Sequence, residues 1–244
     1  MAPCPYMLWV NSQPLTVDDA TWVKMYTTEH AADMVSTKTA DRASFYRAIQ
    51  APIGPLSAPE TYHPLNYVAV YQTDYEDCVK HPLYGGMRHH STLLPGGGRI
   101  DQNGDFHARN YKLVQNYDPD GVCADKEKPP SFIMTVEMGA KDEDAYTKWV
   151  EEEHLPLIHK VPGHLRAQRY IIGPPITDGK DPAEHDLSSV GRHLAIHEFD
   201  SLDAVLGNDE SVQQALGNNA AKKALADSNV SVLRIWELVK PIGW

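Results

Sequence analysis

Two histidines with similar surroundings are the residues best suited to move a proton. His154 lies four residues after Val150 and three before Leu157, and His30 lies four residues after Tyr26. Helical spacing therefore places both imidazoles on an apolar stripe. An imidazole in an apolar pocket can titrate near neutral pH and act as a general acid or base. We expect at least one of them to be catalytic. The alternative is a buried structural histidine that bonds a backbone carbonyl.

Tyrosine and arginine side chains on predicted strands are candidate catalytic partners of these histidines. Tyr46 and Tyr170 are 124 residues apart, and Arg169 precedes the second tyrosine where Phe45 precedes the first. A buried tyrosine hydroxyl can donate to an enolate or phenolate, and an arginine can hold an oxyanion by two parallel hydrogen bonds. Core packing and a surface ion pair are the structural alternatives. Because Phe45 replaces Arg169, the two pockets cannot be chemically alike.

Further side chains are predicted to bind substrate. Tyr71 alternates with Tyr67 on one strand face, as His197 does with His193, and that face is expected to look toward the other sheet or a cleft. The full set of predicted substrate-binding residues is Tyr26, Asp33, Tyr71, His89 and Trp149.

A long glycine-containing segment in the first half is predicted to cover a binding site. It reads KHPLYGGMRHHSTLLPGGGRIDQNGDFH, from Lys80 to His107. Its three glycines, Gly96 to Gly98, lack the lysine and hydroxyl residue of a phosphate-binding loop. The adjacent pair His89 and His90 does not have metal-ligand spacing. We therefore interpret the segment as a flexible loop that acts as a lid.

Several classes of chemistry are disfavoured by the sequence. The nucleophile motif G-x-S-x-G does not occur, and Cys4, Cys78 and Cys123 are scattered and interpreted as reduced thiols. We expect neither a metal nor a cofactor. The formal net charge of −11 disfavours nucleic acid and anionic membranes as partners. No signal-like start and no run of about 18 apolar residues occurs, so a soluble, cytoplasmic protein is expected.

The elements that must position these residues come from an internal duplication. The segment Trp149 to Tyr170, WVEEEHLPLIHKVPGHLRAQRY, has a degenerate copy at Met25 to Tyr46, MYTTEHAADMVSTKTADRASFY. The same offset of 124 residues aligns the two copies over both a predicted helix and a predicted strand. Further on, Tyr67 to Tyr71 match His193 to His197 at an offset of 126 residues (193 − 67). Two homologous halves are therefore predicted.

Each half has the predicted order β-α-β-β-α-β. In the second half, the spacing of apolar residues and the positions of glycine and proline predict four strands and two helices. The strands are Ser131–Gly139, His164–Ile172, His193–Phe199 and Ser231–Val239, and the helices are Asp142–Lys160 and Ser201–Asp227. The breaker-rich stretch Pro119 to Pro130 is predicted to be a linker, which gives domains 1–122 and 123–244. A sheet with helices on one face must cover its other face. We thus predict an α+β fold in which two tandem ferredoxin-like units form an intramolecular barrel, as a monomeric pseudo-dimer or a homodimer.

Two motifs in the second half resemble a known superfamily. W-x-x-E-E-H-L-P begins at Trp149, and V-P-G-x-x-R-A-x-R-Y begins at Val161. Together they resemble the dimeric α/β-barrel superfamily, especially EthD-like proteins. Members of that superfamily include cofactor-free monooxygenases, polyketide cyclases, dehydratases, decarboxylases, lactone isomerases and haem proteins. The resemblance therefore implies no single reaction. The first half, with H-A-A-D from His30 to Asp33, has a faint similarity to bacterial chalcone isomerases, which implies a histidine as the catalytic acid or base.

The sequence thus predicts a cofactor-independent acid–base enzyme of secondary metabolism. Its substrate is expected to be an enolisable aromatic, flavonoid-like or polyketide-type small molecule. Isomerisation or cyclisation is the first hypothesis, because it needs only an acid–base group and an oxyanion donor in a dry pocket. The alternatives are a lyase that decarboxylates or dehydrates, a cofactor-free oxygenase, and a non-catalytic binding or stabilising module. The first half is favoured as the specialised site.

Overall fold

The chain folds as an α+β protein around a closed antiparallel barrel. The computed structural model describes residues 4–49, 65–121, 128–176, 191–206, 214–215 and 217–244. Within this part of the chain the barrel strands are β1 (Tyr6–Pro14), β2 (Arg42–Ile49), β3 (Tyr67–Thr73), β4 (Gly104–Tyr117), β5 (Phe132–Ala140), β6 (His164–Ile172), β7 (His193–Phe199) and β8 (Ser228–Ile242). Their order around the barrel is β1-β3-β2-β8-β5-β7-β6-β4, and β4 pairs with β1 to close it. The α+β prediction is confirmed.

Short helices cover the outside of the barrel. They are α1 (Asp19–Met25), α2 (Ala31–Ser36), α3 (Ile100–Asn103), α4 (Glu143–Trp149), α5 (Leu155–Ile158), α6 (Leu202–Leu206) and α7 (Asn219–Ala226). The π-helical turn Tyr26–His30 joins α1 to α2, and the π-helical turn Val150–His154 joins α4 to α5. These two turns are 124 residues apart (150 − 26). Each predicted histidine is therefore the last residue of a π turn, a feature that often occurs at functional sites.

The first turns of α1 and α4 are capped in the same way. Asp18 accepts a hydrogen bond from the Thr21 backbone N–H at 2.7 Å, and Asp142 accepts one from the Ala145 backbone N–H at 3.0 Å. Each carboxylate satisfies a backbone donor that has no partner within its helix. The two capping residues are also 124 apart (142 − 18), so the duplication extends to helix initiation.

The barrel interior is filled by large side chains. Trp9 and Trp236 meet edge to face with ring centres 6.1 Å apart, and Tyr46 and Tyr170 lie in the same cluster. The Tyr46 hydroxyl donates to the Pro130 carbonyl at 3.3 Å. These contacts place Tyr46 and Tyr170 inside the barrel, because alternate residues of a strand point to opposite faces.

The outer faces of the sheet pack against the helices. Tyr67 and Tyr71 belong to an apolar cluster that also contains residues of α1 and α2. His193 and His197 contact Tyr146 and His154, respectively, on the helical side of the second half. The predicted strand face therefore looks toward the helices and not toward the opposite sheet.

The loop predicted in the first half is built from short turns. They are the 3-10 turns Cys78–Lys80, Tyr84–Gly86 and Pro95–Gly97, followed by α3. Gly96 and Gly97 both have φ near +65°, a conformation that glycine adopts without strain. The predicted domain boundary at residues 122 and 123 lies outside the described residues. Within the described part, the helices lack the length and apolar character needed to cross a membrane.

Candidate functional site

A cavity of about 220 Å³ lies between the outer face of the first-half sheet and the loop. A cavity of roughly 150 Å³ can hold benzene, so this one has room for a small aromatic molecule. Apolar side chains dominate its wall, with a few polar groups among them. The lining residues are Leu8, Val10, Tyr26, His30, Met34, Tyr71, Val79, Tyr84, Met87, His89, Arg99, Ile100, Asp101, Phe106, Ala108 and Ile176.

His30 is the ionisable group of most chemical interest in this cavity. Burial and, to a smaller extent, the neighbouring His89 lower the pKa of its imidazole to about 4, although Asp33 and the Arg88 backbone act in the opposite direction. The imidazole is therefore neutral at pH 7. Its Nδ1 is buried and has no hydrogen-bond partner among the described residues. Because the Arg88 backbone favours a proton on the ring, we assign that proton to Nε2 and a lone pair to Nδ1.

Two tyrosine hydroxyls accompany His30. The hydroxyls of Tyr26 and Tyr71 are buried and share a weak hydrogen bond with each other, and Ser12 is a further neighbour of the Tyr26 hydroxyl. Burial raises the pKa of both phenols, so both remain protonated donors. Tyr26 is fixed by stacking on Phe45 at 4.6 Å between ring centres and by an edge contact with His30 at 5.1 Å. His30 Nδ1 has no such partner among the described residues, and buried polar groups without partners often indicate a ligand or water site.

The loop supplies much of the wall that sequence reasoning missed. Tyr84, Met87, Arg99 and Asp101 line the cavity, and Arg99 donates two hydrogen bonds to Asp101 at 2.9 and 2.8 Å. Of the loop residues that line the cavity, His89 is the one that the sequence predicts to bind substrate. The one available signal was the run of apolar residues inside an otherwise polar loop, which indicates that part of the loop is buried.

The charges around the cavity are balanced by pairs. Arg88 donates to both carboxylate oxygens of Asp33 at 2.6 and 2.7 Å, and Arg99 pairs with Asp101. His30 is neutral, as described above. A cavity with paired charges and apolar walls favours an uncharged ligand, because a charged one would lose hydration without gaining a dedicated partner.

The corresponding region of the second half is occupied by imidazoles. His154 and His197 lie 5.6 Å apart between ring centres, and His197 and His164 lie a further 5.6 Å apart. Burial lowers the pKa of His154 to about 4 and of His164 to about 3, and it lowers that of His197 as well. Because His197 corresponds to Tyr71 at the offset of 126, a histidine stands where the first half has a cavity-lining hydroxyl.

Other predicted catalytic residues lie away from the cavity. Tyr46 and Tyr170 are inside the barrel, across the sheet from the histidines, so the structure does not bring them together with His30 or His154. Arg169 lies in the second half, where it donates to Gln115 at 2.7 Å and to Glu151 at 3.2 Å.

The predicted substrate-binding residues divide between several places. Tyr26, Tyr71 and His89 line the cavity. Asp33 is bonded to Arg88, and Trp149 lines a separate surface groove of about 190 Å³ between α4 and α7. Among the described residues, the group that brings three potential metal ligands within 4.8 Å of one another is Cys4, Asp41 and Asp74, none of which was predicted to bind a metal.

Comparisons with known proteins identify the fold. No family model and no curated protein matches the chain. It is similar to a dye-decolorizing peroxidase from Bacteroides thetaiotaomicron, with 8% identity, coverage of 98% of this chain and 94% of that chain, and a TM-score of 0.52. A variant of DypB from Rhodococcus jostii in complex with heme has 10% identity, coverage of 97% and 94%, and a TM-score of 0.52. An anthrone oxidase-like protein has 11% identity, coverage of 97% and 92%, and a TM-score of 0.50. At these identities the likeness shows a shared α+β barrel fold.

One of these neighbours contains heme, whose iron is often held by a histidine. Two histidines, His30 and His89, line the described cavity. The cavity volume of about 220 Å³ lies below the roughly 300–1,000 Å³ of sites that enclose a drug-sized ligand, and a porphyrin is larger than most such ligands. The cavity therefore does not fit a heme, and we assign no reaction step to one.

Proposed function

We propose that this protein is an enzyme that removes a proton from a small, uncharged aromatic or enolisable molecule bound in the first-half cavity. The observation that carries the proposal is a buried imidazole nitrogen without a described partner, His30 Nδ1, at the same apolar cavity as the adjacent buried hydroxyls of Tyr26 and Tyr71. A base and a hydrogen-bond donor are the groups that conversion of a phenol or enol into its anion requires.

In this proposal His30 acts as the general base. Its neutral imidazole accepts the proton, and the resulting imidazolium lies beside the substrate anion. That charge pair raises the pKa of His30 from its ligand-free value of about 4, which reduces the energetic cost of the transfer. Tyr26 and Tyr71 remain protonated, and because one hydroxyl proton is enough for the bond between them, the other can donate to the oxyanion.

Deprotonation is a first step that several reactions share. Reprotonation at another atom or attack by the anion within the same molecule gives isomerisation or cyclisation, the outcome expected from the sequence. Reaction of the anion with oxygen gives cofactor-free oxygenation. The comparisons do not support isomerisation or cyclisation, whereas one neighbour of the same fold is described as anthrone oxidase-like. Oxygenation of a phenolic or enolic substrate is therefore kept as the second candidate.

The arrangement in two tandem ferredoxin-like, EthD-like units, 1–122 and 123–244, is part of the proposal. Three observations support it: the strand order β4-β1-β3-β2 is followed by the matching order β8-β5-β7-β6, the capping aspartates are 124 residues apart, and so are the π turns. The second half then closes the barrel and supports the first. One chain suffices for the barrel, which is consistent with a monomer.

Proton exchange at a simple enolisable ketone tests the proposal. The probe is 2-tetralone in deuterated buffer, and loss of its α-proton signals is followed by proton NMR. We expect the protein to accelerate this exchange and His30→Ala to abolish the acceleration, while His154→Ala retains it. Oxygen uptake measured in the same samples separates oxygenation from isomerisation. Equal acceleration by the wild-type protein and His30→Ala would remove His30 from the mechanism, and no acceleration by the wild-type protein would favour a binding or stabilising role.

A further inference from the structure

Asp33 binds the loop that covers the cavity. Its Oδ2 accepts from Arg88 Nε at 2.6 Å and from the Arg88 backbone N–H at 3.3 Å, and its Oδ1 accepts from Arg88 Nη2 at 2.7 Å. A single carboxylate thus receives three hydrogen bonds from one loop residue. The Asp33 side chain is 15% exposed and that of Arg88 is 58% exposed, so solvent screens the pair, while the three charge-assisted hydrogen bonds fix its geometry.

The Asp33–Arg88 pair lies between two parts of the candidate site. Asp33 is three residues after His30, which makes the two neighbours on the helix surface. Arg88 lies between Met87 and His89, both of which line the cavity. Holding Arg88 therefore holds two wall residues of the cavity against the helix that carries His30.

The same pair also bears on the protonation of His30. The Asp33 carboxylate and the Arg88 backbone both favour a protonated imidazole and so raise its pKa, whereas burial and His89 lower that pKa. Glu29 acts on the Arg88 guanidinium and raises its pKa, as Asp33 does. In the described part of the chain, all hydrogen bonds of the Asp33 carboxylate come from Arg88, so its oxygens are occupied by the loop and not directed at a substrate.

We propose that Asp33 is a positioning residue, which acts through Arg88 to fix the Met87–His89 segment over the cavity and to fix the tautomer of His30. It would not contact the substrate, which revises its predicted role as a substrate-binding residue. This inference rests on the proposed function, since it assigns His30 the role of base. Unlike the proposed function, it predicts that replacing Asp33 and replacing Arg88 shift the pKa of His30 in opposite directions.

The experiment compares Asp33→Asn with Arg88→Gln in the full-length protein. Asp33→Asn removes a negative charge near His30 and leaves Arg88 charged, whereas Arg88→Gln leaves the Asp33 carboxylate unneutralised. We expect the pKa of His30, followed by NMR titration, to be lower in Asp33→Asn than in Arg88→Gln, with the wild-type value between them. Arg47→Gln, which removes an exposed ion pair with Glu237 on the barrel, is the matched control.

Two further readouts report on the loop. Amide hydrogen exchange over residues 84–90 should accelerate in both variants and stay unchanged in the control. The dissociation constant for 4-nitrophenol, a single-ring phenol, should rise roughly two- to fivefold in both variants. The double variant should weaken binding no more than either single one, because both remove the same interaction.

The outcomes separate this inference from the proposed function. If His30 has the same pKa in both variants, or if exchange over residues 84–90 is unchanged, Asp33 is not a positioning residue, whatever His30 does. If instead His30→Ala leaves 2-tetralone exchange intact while Asp33→Asn and Arg88→Gln still loosen the loop, the proposed function fails and the role of Asp33 in holding the loop survives.

Discussion

Acid should destabilise this protein through the buried histidines of the second half. His154, His164 and His197 are each at most 8% exposed, and the rings of His154 and His164 both contact that of His197. Burial and the neighbouring imidazoles lower the pKa of all three in the folded state. In the unfolded chain a histidine titrates near pH 6.5. At pH values between the folded-state pKa values and 6.5, the unfolded state binds more protons than the folded state. The free energy of unfolding that the neutral histidines contribute is therefore fully present above about pH 6.5 and declines as the pH falls.

The size of the loss follows from these pKa values. With a folded-state pKa of about 4 for His154 and about 3 for His164, each histidine lowers the free energy of unfolding by about 2 kcal/mol between pH 8 and pH 5. His197 acts in the same direction. The first two alone give a loss of about 4 kcal/mol, a large part of the 5–15 kcal/mol typical of a folded protein.

Urea unfolding followed by tryptophan fluorescence at pH 8 and pH 5 measures this loss. His164→Phe keeps an aromatic ring beside Phe199, whose ring centre lies 5.2 Å away, and removes the titratable group. We expect this variant to lose about 2 kcal/mol less than the wild type over the same pH interval. His90→Gln changes an exposed histidine and should behave as the wild type. An identical pH dependence in His164→Phe and the wild type would show that the buried cluster does not control acid stability.

Three further substitutions test separate parts of the structure. Tyr71→Phe removes the hydroxyl that bonds Tyr26, so urea unfolding should show a loss of about 1 kcal/mol, while titration should show weaker binding of 4-nitrophenol; unchanged stability would mean that the two hydroxyls do not interact in the free protein. Glu137→Ala leaves buried Arg109 without its carboxylate at 2.6 Å and should cost about 3–5 kcal/mol by the same assay; a neutral effect would contradict the ion pair. Gly191→Ala places a Cβ 2.3 Å from the Met138 backbone nitrogen and should cost about 1–3 kcal/mol, and an unchanged midpoint would refute that close approach.

The elements of the fold could largely be predicted from local patterns. Helical spacing is sufficient to place His30 and His154 on the inward faces of helical segments, and each ends a π-helical turn in a segment that packs on the outside of the barrel. Strand alternation predicts that Tyr170 and Arg169 point to opposite faces of the sheet, but it does not predict which face packs against the helices. That choice depends on how the sheet closes, so Tyr46 and Tyr170 were grouped with histidines that lie across the sheet.

The details of the site depended on contacts between distant residues. Nothing in the sequence of Tyr26 to His30 predicts a π turn in place of an α turn. Arg99 and Asp101 reach the cavity through the path of the loop, which local patterns do not specify. The histidine cluster likewise joins three elements of the second half, so no single stretch of sequence contained it.

Titration of bound 4-nitrophenol tests the central claim most directly, because its phenolate absorbs visible light and reports its own protonation. The first-half cavity with His30 as base predicts that the bound phenol loses its proton at lower pH in the wild-type protein than in His30→Ala, with His154→Ala matching the wild type. Equal pKa values for the phenol bound to the wild-type protein and to His30→Ala would contradict the account.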